Sequence, residues 1–173
     1  MKTTQVLQLM KVVSWFVFIG FCIEVGAILV TTTISIFHNP EAAENLYLGL
    51  NLSNLYNFST QNYIYVISFI IAIAASKAYL FWLVIKMLNK VNVTHPFTLD
   101  VSKIISKIAY LALSTGILAI VAASYSKGLW KNGATFDLDW GSQEFLFMAG
   151  ILYVFAFIFK RGVELQEEND LTI

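Results

Sequence analysis

Four long apolar runs constrain this chain more than any other feature. They cover about residues 12–37, 63–88, 104–124 and 145–159. A helix needs roughly 20 apolar residues to cross hydrocarbon, and the first three runs reach that length. The fourth run has about fifteen residues, or ~22 Å of helix. It spans from about 144 to 160 with local thinning, or with Lys160 and Arg161 snorkelling at its end. Composition agrees: 58% of the 173 residues are hydrophobic, 13% are charged, and the mean hydropathy is +0.70. Soluble domains carry about a quarter charged residues. The expected fold is therefore all-α, an integral-membrane bundle of four transmembrane helices in one domain, with a tail at 161–173.

The first run contains Glu24, is long, and lacks a small-x-small cleavage pattern after it. It is read as a retained span rather than a secretory signal. Basic residues set the orientation. Lys2, Lys11, Lys86, Lys90, Lys103, Lys107, Lys160 and Arg161 fall on one side, and only Lys127 and Lys131 on the other. Such asymmetry places both termini in the cytoplasm.

The formal net charge is zero, so no basic field points to nucleic acid. Cys22 has no second cysteine with which to form an intrachain disulfide, and His38 and His95 are too few and too far apart for a metal site. No nucleophile–base spacing, metal-ligand cluster or phosphate-binding glycine loop is visible, so no catalytic residue, cofactor or metal is expected.

The outer connection, residues 38–62, alternates Leu46, Leu48, Leu50 and Leu52. That period of two suits a short strand or a segment lying on the membrane. Asn51 and Asn57 head chance N-x-S sequons. In the inner connection, His95-Pro96 blocks helix, Thr98 is placed to cap the third span, and Asp100 faces the positive end of its dipole.

Glu24 and Lys77 are charges inside spans. At 1.5 Å per residue, Glu24 lies about 18 Å from the start of its span and Lys77 about 16 Å from the end of the next. The two match in depth, and pairing relieves part of the roughly 2.5–3.5 kcal/mol that each lone charge costs. Ser114, Thr115 and Tyr153 are candidate neighbours in the same polar centre. Two readings stay open: a buried ion pair fixing register, or a site for a proton, ion or small ligand. If the pair is direct, Glu24→Gln destabilises the bundle. Gly20, Ala27 and Thr31 share the Glu24 face. Ala109, Ala112, Gly116, Ala119 and Ala123 form a small-residue seam on the third span, both suited to helix contacts in lipid.

The chain ends "FKRGVELQEENDLTI". The segment from Gly162, through Glu164, Leu165, Gln166, Glu167, Glu168, Asn169 and Asp170, reads as a solvated helical extension or as an acidic recognition element. This tail, together with Pro96, Phe97 and Thr98 in "HPFTLDVSKIISKIAY", resembles the bacterial membrane-protein family catalogued as domain of unknown function 2975. With the four-span layout, the resemblance extends over essentially the whole chain. It carries no activity. It implies an inner-membrane protein whose cytoplasmic loop and tail hold a small helix-turn-helix regulator. A regulatory or sensory, non-enzymatic role is the leading expectation, with the lipid bilayer and a homo-oligomer as further partners. The alternative is a small oligomeric transporter or permeability protein using the Glu24–Lys77 layer.

Overall fold

The structure is a computed structural model that describes residues 3–91 and 97–170. Its elements are α1 (Thr3–Phe37), a 3-10 turn (Pro40–Glu44), α2 (Ser53–Phe58), α3 (Thr60–Lys90), α4 (Leu99–Lys131) and α5 (Ser142–Asp170). The protein is all-helical among the described residues, and α1, α3, α4 and α5 are each long and apolar enough to cross a membrane.

Local chemistry sets the boundaries. Ser59 caps α3 by accepting from the Asn62 amide, and Thr98 caps α4 by accepting from the Val101 amide, the role its place after His95-Pro96 predicts. Lys90 at the end of α3 pairs with Asp100 in the first turn of α4, holding the two ends together. Pro96 lies outside the described residues.

The spans run up and down. Trp15 and Phe18 of α1 meet Trp82 near the end of α3, at ring-centroid distances of 6.3 and 5.8 Å. At the opposite end, the Ser35 and Tyr63 hydroxyls are 2.7 Å apart, and Tyr125 donates to Asn62 at 2.8 Å. The end where α1 begins is called the base, and the opposite end the crown.

Backbones pack closely as α1 on α3, α3 on α4 and α4 on α5, with no such approach between α1 and α5 among the described residues. The α4–α5 contact uses the small-residue seam: Ala109, Ala112, Gly116 and Ala119 are buried. Gly116 is required by its neighbour, because a Cβ there would stand 3.0 Å from Leu146 Cδ2 and 3.3 Å from its backbone nitrogen. The α1–α3 contact is different. Gly20 has open space where a Cβ would sit, and aromatic rings fill the interface instead. Of the expected small stripe on α1, Thr31 does make a contact, donating to the Leu46 carbonyl at 2.8 Å. Elsewhere α1 is bare, with Phe16 73% exposed, a surface suited to lipid.

The connection after α1 folds as a cap over the crown. Ala43, Leu46, Leu52 and Leu55 are buried in one cluster with Ile28, Tyr63 and Val66. The expected strand is absent from it among the described residues. Leu46 donates to Leu50 and Leu50 to Tyr47, closing a tight turn around Leu48 and Gly49, both at positive φ (46° and 87°). That is the pattern of a type I′ turn. The leucine alternation arises because Leu46 and Leu52 point into the cap while Leu48 projects outward, 87% exposed.

α5 starts well below the crown end of α4, and its candidate span, Ser142–Gln166, is 25 residues rather than the fifteen or so of the apolar run. Leu146, in the second turn of α5, packs on Gly116. Gly116 lies about 22 Å along α4 from its crown end, at 1.5 Å per residue. Residues 132–141 therefore run back toward the base beside the helices. Trp130 donates to the Phe136 carbonyl at 3.0 Å, and buried Trp140 donates to Ser126 at 3.1 Å, fastening this segment to α4. Non-helical backbone at such depth needs protein or an aqueous cavity around it. It has both.

Candidate ligand cavity between α1, α3 and the start of α5

Where α1 and α5 stand apart, a cavity of about 600 Å³ opens. Its walls come from Glu24 and Ile28 on α1, Ile70, Ile73, Ala74 and Lys77 on α3, and Glu144 and Phe145 on α5. The cap contributes Tyr47, Leu48 and Leu50, and the returning segment contributes Asp139, Trp140 and Gly141. Depth matching thus brings Glu24 and Lys77 to one space, but not into contact. No ion pair joins them among the described residues. The Lys77 ammonium instead sits between two rings, 5.7 Å from the Phe21 centroid and 5.9 Å from that of Phe145. The negative ring faces attract the cation.

The other residues expected at this centre lie elsewhere. Ser114 is exposed on α4 and donates to the Leu111 carbonyl at 2.9 Å. Thr115 is only 1% exposed, but it spends its hydroxyl on the same carbonyl at 2.8 Å and does not line the cavity. Tyr153 is 63% exposed and borders a separate groove with Ser106, Tyr110 and Lys160. Span matching fixes height but not rotation, and these residues sit at the wrong angle on their helices.

Sequence reasoning missed Tyr47, Asp139, Trp140 and Glu144. One signal for the last three was present: the polar stretch "DLDWGSQE" directly precedes a run too short to span unaided. Gly141, at φ +59°, makes the turn into α5, where its carbonyl accepts from Phe145 N at 3.1 Å. Asp139 accepts from the Gly141 amide with one oxygen at 2.9 Å. Among the described residues, no group of His, Cys, Asp and Glu is arranged to hold a metal ion.

At the base, two residues from distant parts of the sequence meet. A Cβ on Gly162 would lie 2.6 Å from Phe97 Cδ1, so the Phe97 ring rests directly on the glycine. The same ring is 5.2 Å from that of Phe159. This clasp ties the beginning of α4 to the far part of α5. The tail is not a separate element: α5 continues unbroken to Asp170. Arg161 pairs with Glu164 at 2.6 Å, and Leu165 is exposed. Gln166 and Glu168 lie on the same helical extension, as do the backbones of Glu167, Asn169 and Asp170.

A family model described as "Protein of unknown function (DUF2975)" matches residues 37–173. The chain belongs to that family. The match begins at the last residue of α1 and takes in the cap, α3, α4 and α5. The resemblance is thus narrower than the whole chain: Lys77, Asp139, Glu144, Phe97 and Gly162 fall inside it, and Glu24 falls outside. No curated protein and no solved structure matches the chain.

Proposed function

We propose that this DUF2975 member is a non-enzymatic sensor of the bacterial inner membrane, with both termini cytoplasmic. In this reading the cavity near the crown binds a small ligand, and the base passes the state of occupancy to a small helix-turn-helix regulator. The observation that carries it is the cavity itself, which is lined by Glu24 and Lys77 from two candidate spans without an ion pair between them among the described residues. Intramembrane ionisable groups that face a cavity are expensive to keep and commonly serve a function. The helices that wall the cavity also build the base. Lys77 shares α3 with Lys90, and Phe145 shares α5 with Gly162. The acidic extension around Leu165 supplies a surface complementary to a basic partner.

The alternative, a small oligomeric transporter, draws on the same charges. Against it, Leu80, Leu83, Ile104, Ile108, Ala112 and Ala149 form a packed cluster on the base side of Lys77. The test of the sensor is deletion of residues 164–173 in the native host. The deletion is expected to abolish co-purification of a small DNA-binding protein and to alter a defined set of transcripts. Unchanged partners and transcripts would remove the sensor reading. Ion- or proton-coupled flux in liposomes, lost in Glu24→Gln, would put the transporter in its place.

A further inference from the structure

We infer that the cavity binds a zwitterion: a ligand with a primary ammonium and an anionic oxygen group a few bonds apart. This rests on the sensor reading and gives the chemical class of its ligand. Three carboxylates (Glu24, Asp139 and Glu144) and one ammonium (Lys77) line a single space. Among the described residues, Glu24, Lys77 and Glu144 make no hydrogen bond or ion pair, and Asp139 spends one oxygen on the Gly141 amide. Glu24 and Lys77 are half-buried, so each gains from a counter-charge, while Asp139 and Glu144 are exposed carboxylates along the same space.

A simple anion would satisfy Lys77 and add to the negative charge around it. A simple cation would satisfy one carboxylate and leave Lys77 with only ring faces. A zwitterion supplies both partners and brings no net charge into the membrane. The division of groups also fits its shape. An ammonium has three donors to share among the carboxylates. The Lys77 ammonium, held between Phe21 and Phe145, donates to the anionic end. The walls Ile28, Tyr47, Ile70 and Trp140 receive a short apolar body. A volume of about 600 Å³ suits a small organic molecule, since such pockets run from roughly 300 to 1,000 Å³.

Two sources carry this chemistry. One is a free amino acid entering from the crown. The other is the ethanolamine headgroup of a phospholipid, entering through the separation between α1 and α5. The experiment distinguishes them using the full chain purified in mild detergent. Calorimetry compares alanine, leucine and phenylalanine with their amine-only and acid-only halves; for leucine these are 3-methylbutylamine and 4-methylpentanoate. Native mass spectrometry, after reconstitution in nanodiscs, compares retention of phosphatidylethanolamine with that of phosphatidylglycerol.

The expected result is that one amino acid binds at least about tenfold tighter than either of its halves, or that phosphatidylethanolamine is retained in preference to phosphatidylglycerol. Glu24→Gln should lower the advantage over the acid half, and Lys77→Met the advantage over the amine half. Lys77→Arg, which keeps the charge, should retain binding and guards against a variant that fails to fold. The zwitterion is overturned if a half-molecule binds as tightly as the whole and neither lipid is preferred, or if no member of either set binds. Tight binding of an amine alone removes the zwitterion but leaves the sensor. Unchanged transcripts in the tail deletion remove the sensor but leave the zwitterion.

Discussion

At the scale of single residues, Glu24 is the sharpest case. Were it locked to Lys77, losing its charge would strand a buried ammonium, at a cost of about 3–5 kcal/mol. In the structure the two share a cavity without pairing, and Lys77 is supported by Phe21 and Phe145. Glu24→Gln is therefore expected to leave thermal stability in detergent within about 1 kcal/mol of the wild type, because no partner is orphaned. A loss of several kcal/mol in the melting curve would restore the direct pair. Leu48 makes a different point. A non-glycine residue in left-handed conformation is strained by roughly 1–2 kcal/mol. Asparagine tolerates that conformation, so Leu48→Asn should raise stability by about 0.5–1 kcal/mol, read from the unfolding midpoint. Gly162 is constrained by contact instead. Gly162→Ala drives a methyl group into the Phe97 ring and should cost about 1–3 kcal/mol, with part recovered when Phe97→Leu is added.

At the scale of elements, the long spans were legible because apolar runs of span length leave a chain few choices. The α4 seam was legible too, since Ala109, Ala112, Gly116 and Ala119 repeat at helical spacing and do become buried. Rotation about each helix axis was not. Ser114 and Thr115 are neighbours about 100° apart on the helix, so both cannot face one centre. Only the packing of α5 decides which of them turns inward. The return of residues 132–141 was hidden for a similar reason: nothing local to "NGATFDLDWG" specifies that it doubles back along α4. Trp140 secures that return. Trp140→Phe keeps most of the apolar burial but deprives the buried Ser126 hydroxyl of its indole donor. The expected cost is about 1–2 kcal/mol. Hydrogen exchange should quicken mainly in residues 132–141 and in the first turn of α5. Equal quickening throughout α3 would show that the tryptophan holds the core rather than the segment.

At the scale of the whole molecule, the sequence foresaw a four-helix bundle with a closed polar centre; the protein has the four helices, but they pack in the order α1–α3–α4–α5 and leave a cavity between α1 and α5. Composition does not encode this difference. It depends on α5 starting low, which leaves α1 a neighbour only in α3 and the cap. The cavity lies toward the crown and the Phe97–Gly162 clasp at the base, and orientation decides which compartment each one meets. The basic residues gather at the base, at Lys11, Lys86, Lys90, Lys103, Lys107, Lys160 and Arg161, while Lys127 and Lys131 lie toward the crown. Positive charge is retained on the cytoplasmic side during insertion, so the crown and its cavity should face outward. With Cys22→Ser as background, single cysteines at Asn57 and Lys131 should react with a membrane-impermeant maleimide on intact spheroplasts. Cysteines at Lys103 and Arg161 should react only after the membrane is opened. The reverse pattern would turn the cavity toward the cytoplasm and the acidic extension of α5 away from it, and an internal regulator could then no longer reach that extension.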